Sequence, residues 1–174
     1  MNLVSEKIYL RKITYEDTDL IVKWRNNPKV KEFFIFQEPF TKELHHQWMR
    51  NEIETGKAVQ MIIVEKETGY SVGCVYVKDI NRIHSKAEYG IFIGDDCARS
   101  KGIGNEAGKA MVEYAFRELR LHKIYLRVLA ENEIARRSYR TLGFEEEAYL
   151  KQDVRINGTY YDIVRMACFN TYTR

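Results

Sequence analysis

Long hydrophobic runs are missing from this chain. No stretch is long enough to span a bilayer and the N-terminus lacks the apolar core of a signal peptide, so we expect a cytoplasmic protein with no membrane partner. Cysteine is sparse and odd in number: Cys74, Cys97 and Cys168 lie far apart and indicate neither a disulfide framework nor a zinc site. Two prolines and ten glycines leave no room for a disordered linker. Net charge is only +3, without the dense basic stripe that nucleic acid requires, a balance that suits a small anionic ligand. What is present is 174 residues, 45% hydrophobic and 30% charged, enough for one domain over residues 1–174 with a core of its own.

The chain is organised around residues 88–107. Tyr89, Ile91 and Ile93 alternate with Phe92 and read as a strand; an acidic turn, a glycine loop and helix-forming residues follow. Gly102 and Gly104 allow close approach of a ligand to the backbone, and the helix that starts there presents unpaired N–H groups and the positive end of its dipole. Arg99 and Lys101 flank the loop with positive charge. Such a place suits a pyrophosphate. Gly102-x-Gly104-x-x-Ala107, with Glu131 downstream, also matches a dinucleotide fingerprint, but several strands precede it and residues 95–101 separate it from the strand end. A nucleotide-triphosphate loop is absent, since no Gly-Lys-Ser/Thr stands at the required spacing.

Upstream, residues 8–13 read as a strand. Thr14 and Asp17 resemble a capping box opening a helix to about Trp24 or Arg25, which Asn26-Asn27-Pro28 stops. Residues 29–34 predict a short helix, and Thr41 caps a third over residues 42–54 that Gly56 ends. From Val59 the period becomes two, giving a hairpin across residues 67–70 and a turn at residues 81–85 that leads into the central strand. Ala107, Ala110, Met111 and Tyr114 give the following helix a core face. Residues 124–128 form a strand that can lie parallel to the central one. A short helix to Leu142 follows, then two strands joined by Asn157-Gly158.

In this order of elements the chain resembles the GNAT superfamily of acyl-CoA N-acyltransferases. Arg99-x-x-Gly102-x-Gly104 resembles that family's pyrophosphate loop, with arginine where glutamine is frequent. Asn132-x-x-Ala135-x-x-Ser138-Tyr139-x-x-Leu142-Gly143-Phe144 resembles its second coenzyme segment. Trp24-Arg25-Asn26-Asn27-Pro28 and Ile156-Asn157-Gly158 are similar to the branch of ribosomal-protein N-terminal, spermidine and amino-sugar nucleotide acetyltransferases. The resemblance implies an α/β fold, a mixed, mostly antiparallel sheet of about seven strands flanked by helices. It implies acetyl-CoA as cosubstrate and a small-molecule amine or protein N-terminus as acceptor. Coenzyme contacts are then expected from Phe92, Ile93, Arg99, Ser100, Lys101, Gly102, Ile103, Gly104, Asn105, Asn132, Ala135, Ser138 and Tyr139.

Acetyl transfer to an amine needs a held donor, a neutral nucleophile, support for the oxyanion and a proton for the leaving thiolate. The pantetheine amides would pair with splayed strand ends, and backbone N–H groups around Phe92 and Ile93 would face the thioester carbonyl. Tyr139 is the expected general acid: a phenol near pKa ~10 can protonate a thiolate near ~8.5. Glu88, at the start of the central strand, is the expected base, direct or through water, and contacts the acceptor together with Trp24, Glu32 and Phe33. Adjacent His45 and His46 point in different directions on a helix and no metal is expected. Cys97 lacks a base for covalent transfer, so direct attack in a ternary complex is expected. A noncatalytic acyl-CoA sensor is the alternative. The exposed edge of the closing hairpin is where a homodimer would form.

Overall fold

The computed structural model describes residues 3–171. It opens with strands β1 (Leu3–Val4) and β2 (Ile8–Lys12) and helices α1 (Thr18–Asn26), α2 (Pro28–Lys31) and α3 (Lys42–Trp48). Strands β3 (Val59–Glu65), β4 (Ser71–Asn81) and β5 (Lys86–Ile93) follow, then α4 (Ile103–Arg117), β6 (Lys123–Leu129), α5 (Glu133–Thr141), β7 (Glu145–Ile156) and β8 (Thr159–Phe169). One sheet runs β1-β2-β3-β4-β5-β6-β8-β7, antiparallel throughout except where β5 meets β6. This is the predicted α/β, mostly antiparallel sheet flanked by helices. The strand beyond the expected seven is β1, too short at two residues to carry a period.

Strand alternation divides the core. Ile63, Val75, Val77, Ala87 and Tyr89 face α4, which returns Ile103, Ala107, Met111 and Ala115 at four-residue spacing. Ile62, Val64, Cys74 and Phe92 face the other way, onto Ile21 and Trp24 of α1 and onto Met49. Each helix layer thus covers one face of the same strands.

Helix ends differ from the sequence reading. A 3-10 turn, Tyr15–Asp17, precedes α1, where the Asp17 carboxylate accepts from the Thr14 N–H at 2.9 Å and from both Arg11 terminal nitrogens at 2.8 and 2.6 Å. Helix α2 stops at Lys31, short of the expected residue 34. The third helix continues past Trp48 as one π turn, Met49–Ile53. Asn157 and Gly158 join β7 to β8 with φ of 48° and 88°, the left-handed pair of a type I′ turn. No helix among the described residues is long and apolar enough to cross a membrane.

Candidate active site

The sheet splits at its centre. β5 pairs with β6 only from Lys86 to Glu88, opposite Lys123 to Tyr125, whereas β6 stays on β8 as far as Leu129. Beyond Glu88 the β6-facing edge of β5 therefore has no strand partner among the described residues. The Gly94 N–H donates to the Val72 carbonyl of β4 at 2.9 Å. Because amides alternate along an antiparallel edge, Phe92 turns its N–H toward β4 while Ile91 and Ile93 turn theirs into the gap. Of the two amides expected near a thioester carbonyl, the geometry puts only that of Ile93 in the gap. Phe92 contributes its ring to the pocket described below.

Past β5 the chain makes a 3-10 turn, Asp96–Ala98, and then the glycine loop. The amides of Ser100, Lys101, Gly102, Ile103 and Gly104 have no acceptor among the described residues. Ser100 and Gly102 adopt φ of 63° and 80°, which turns successive amides to one side at the start of α4. A Cβ on Gly102 would meet only Lys7 Nζ, at 3.7 Å, so glycine is used there for its φ rather than for space. The two flanking cations are already engaged. Lys101 Nζ lies 2.9 Å from Glu65, and Arg99 reaches Asp96, the Ile93 carbonyl and the Lys29 carbonyl, each at 3.4 Å. The loop's attraction for an anion therefore resides first in its amides and the α4 dipole.

The second predicted segment lies beside the first. Ser138 Oγ donates to Asn105 Oδ1 at 2.9 Å, tying α5 to the first turn of α4. Asn132 caps α5 by accepting from the Ala135 N–H at 3.1 Å, which uses the Ala135 amide within the fold. Gly108 permits the close approach: a Cβ there would sit 2.5 Å from Leu142 Cδ1. On α5, the Tyr139 ring stands edge-on to Tyr89 and Phe144, with centroids 6.2 and 6.1 Å away. Its hydroxyl makes no hydrogen bond to a described residue. Burial, with a smaller push from the Tyr76 phenol, raises Tyr139 to about 12. Tyr76 comes from the opposite face of the sheet, its ring lying where a Gly90 side chain would be, with Cζ 2.3 Å from the ideal Cβ position.

On that opposite face a cavity of about 440 Å³ opens between the sheet and α1 and α3. Phe36, Phe40, Trp48, Tyr76 and Phe92 wall it, and Arg25, Lys78, His45, Glu52 and Gln60 supply its polar groups. The Asn26 side chain fixes Phe40 by donating to its carbonyl at 2.7 Å and accepting from its N–H at 2.9 Å. None of the four predicted acceptor residues is in this wall. Trp24 is 3% exposed, packed on Gly94 and edge-on to Phe92, while Glu32 and Phe33 are exposed on the outer surface. Glu88 lies on the pocket's side of β5 but one step back, between Lys78 Nζ at 3.8 Å and Arg127 Nε at 3.6 Å. The cross-strand partner is thus Lys78 of the facing register position. His45 is 1% exposed; its Nδ1 lies 2.9 Å from Thr18 Oγ, whose own proton goes to the Tyr15 carbonyl. Nδ1 is therefore the protonated nitrogen, and burial lowers the imidazole's pKa.

Comparison with known proteins fits this arrangement. Residues 7–145 match the family described as Acetyltransferase (GNAT) domain. The chain is 32% identical over 165 residues to the spermidine N(1)-acetyltransferase of Escherichia coli (strain K12), across 95% of this chain and 87% of that protein. It is similar in structure to the spermidine N-acetyltransferase from Vibrio cholerae in complex with CoA and spermine, with a TM-score of 0.88 and 28% identity over 96% of this chain and 98% of that one. A dodecameric structure of the Vibrio cholerae enzyme matches with a TM-score of 0.82 at 28% identity, over 96% of each chain. A family match across most of the chain, on a fold shared along nearly its whole length, shows that it belongs to the GNAT acetyltransferases: it is an N-acetyltransferase whose cosubstrate is acetyl-CoA.

Proposed function

We propose that this chain, acting as one acetyltransferase domain, transfers acetyl from acetyl-CoA to a primary amine by direct attack within a ternary complex. The observation that carries the reading is the pairing of a strand gap with five unspent loop amides at its mouth. The diphosphate rests on the amides of Ser100 to Gly104, with the Ser138–Asn105 bond holding the two coenzyme segments together and Asn132 capping the second of them. The acetyl end enters the gap, where the Ile93 N–H meets the carbonyl oxygen as charge develops. The acceptor occupies the aromatic cavity on the other side of β5 and attacks through the gap beside Gly90. Tyr139 donates a proton to the departing thiolate. Its raised pKa keeps it protonated at neutral pH, and its hydroxyl owes no hydrogen bond to the fold. Glu88, set one step behind the cavity, receives the amine's proton through a bridging water.

The acceptor is a polyamine, the class named for the relatives, a protein N-terminus or an amino sugar. Self-association uses the free edge of β7, a reading supported by its position at the end of the sheet. Initial rates of thiol release, with acetyl-CoA and amine varied together, test the reaction order. Intersecting double-reciprocal lines are expected; parallel lines would indicate an acetylated enzyme and overturn direct transfer.

A further inference from the structure

The aromatic cavity contains a cation that no described residue pairs with. Arg25, at the last turn of α1, stacks its guanidinium 3.9 Å from the centroid of Phe34 and 4.8 Å from that of Phe40. It forms no hydrogen bond or ion pair with a described residue. Other arginines withdrawn from solvent are treated differently by this fold. Arg11 faces Asp17 at 2.6 Å, Arg136 faces Glu133 and Glu146 at 2.7 Å, and Arg165 faces Glu147 at 3.1 Å. Burial pushes Arg25 below its ordinary value and only the Tyr76 and Cys74 side chains act against that, as expected for a cation without a carboxylate beside it.

The rest of the cavity does not correct the imbalance. Lys78 adds a second positive charge, itself shared with Glu88 and Asp79 at 3.8 and 3.9 Å. His45 is held neutral with its proton on Nδ1, and Glu52 is the cavity's one acidic wall residue. The α1 dipole offsets part of the Arg25 charge but fills none of its five N–H donors. A desolvated guanidinium with a free donor fork matches a planar or tetrahedral oxyanion, whereas a polycation entering here would meet like charge.

Resting on the reading of this cavity as the acceptor site, we infer that the acceptor is a primary amine that also carries an anionic group, a phosphate or a carboxylate, bound by the Arg25 guanidinium that Phe34 and Phe40 hold in place. Of the acceptor classes proposed above, this selects against the spermidine-like polyamine.

The test is thiol release from acetyl-CoA with matched amines: O-phosphoethanolamine against ethanolamine, glucosamine 6-phosphate against glucosamine, β-alanine against propylamine, with spermidine as the polycation. In at least one pair the anionic member should exceed the neutral one by about tenfold or more in kcat/KM, the worth of a charge-assisted contact. The phosphate and carboxylate pairs identify which oxyanion is taken. Arg25→Gln should bring that ratio to about one through the amine's KM and raise kcat/KM for spermidine; Arg25→Lys should recover part of the discrimination. Spermidine turning over faster than every anionic amine, with Arg25→Gln lowering that rate or leaving it, would refute the anionic acceptor while leaving acetyl transfer in this cavity intact. An Arg25→Gln effect confined to the KM of acetyl-CoA, or no thiol release with any amine, would instead overturn the cavity as the acceptor site.

Discussion

Replacing Tyr139 by Phe separates chemistry from packing. Phe keeps the edge-on contacts to Tyr89 and Phe144, and because the lost hydroxyl bonds to no described residue, its removal strands no partner. The unfolding midpoint should therefore move by less than about 2 °C, since 1 kcal/mol corresponds to roughly 2–4 °C in a chain of this size. Loss of a positioned proton donor should lower kcat by about 10²- to 10⁴-fold, some 2.7–5.5 kcal/mol of barrier, with little change in the KM for acetyl-CoA. The pH dependence has a definite sign. The donor must be protonated, and burial raises Tyr139 to about 12. Its contribution is then complete at neutral pH and lost only as pH rises toward that value, so no falling limb from this group belongs below about pH 11. Stopped-flow thiol detection from pH 6 to 10, with calorimetric unfolding of both proteins, measures all three quantities. A variant that retained kcat within about threefold, or that lost activity together with a large fall in melting temperature, would remove Tyr139 from the chemistry.

Three further outcomes follow from the same contacts. The Tyr89 hydroxyl is buried and bonds to no described residue, so Tyr89→Phe should stabilise the protein by about 1 kcal/mol in chemical denaturation; a loss of that size would contradict this. Gly90→Ala places a methyl 2.3 Å from Tyr76 Cζ and must displace that ring, raising the acceptor's KM several-fold while acetyl-CoA affinity by calorimetry holds. Asp17→Asn should cost about 1–2 kcal/mol, at the lower end for an ion pair because Arg11 is partly exposed. Burial opposes ionisation of Asp17, but the Arg11 and Thr14 bonds outweigh it and hold the carboxyl below its ordinary value. Wild type should therefore exceed the Asn variant in stability above about pH 4 and lose that advantage as pH falls further.

What the sequence discloses about this protein is local. The run Tyr89, Ile91, Ile93 and the glycines after it read directly as strand, loop and helix because period, φ demand and dipole all lie within twenty neighbouring residues. The Asn157-Gly158 turn is legible for the same reason. The cavity is not, since Phe40, Trp48, Gln60 and Tyr76 reach it from four separate segments. Residue type alone makes Trp24 an acceptor contact. Helical spacing tells more: Ile21 and Trp24 share the sheet-facing stripe of α1, and Arg25, four residues after Ile21, falls at its border and reaches the cavity. A charged residue at the edge of an apolar stripe, with no acid at i±3 or i±4, is the signal that marks it. Strand direction alone does not tell which edge the Phe92 N–H faces; the Gly94 bond to Val72 decides it.

The claim on which the chemistry depends is that the backbone amides of Ser100 to Gly104 hold the coenzyme's diphosphate. Amide chemical shifts of the ¹⁵N-labelled protein, followed during titration with coenzyme A and separately with pantetheine, which lacks the diphosphate, test it directly. Coenzyme A should move the signals of Ser100, Lys101, Gly102, Ile103 and Gly104 far more than pantetheine does, while both ligands move Ile93. If coenzyme A bound and left those five amides where they were, the diphosphate would lie elsewhere and the proposed site would be wrong.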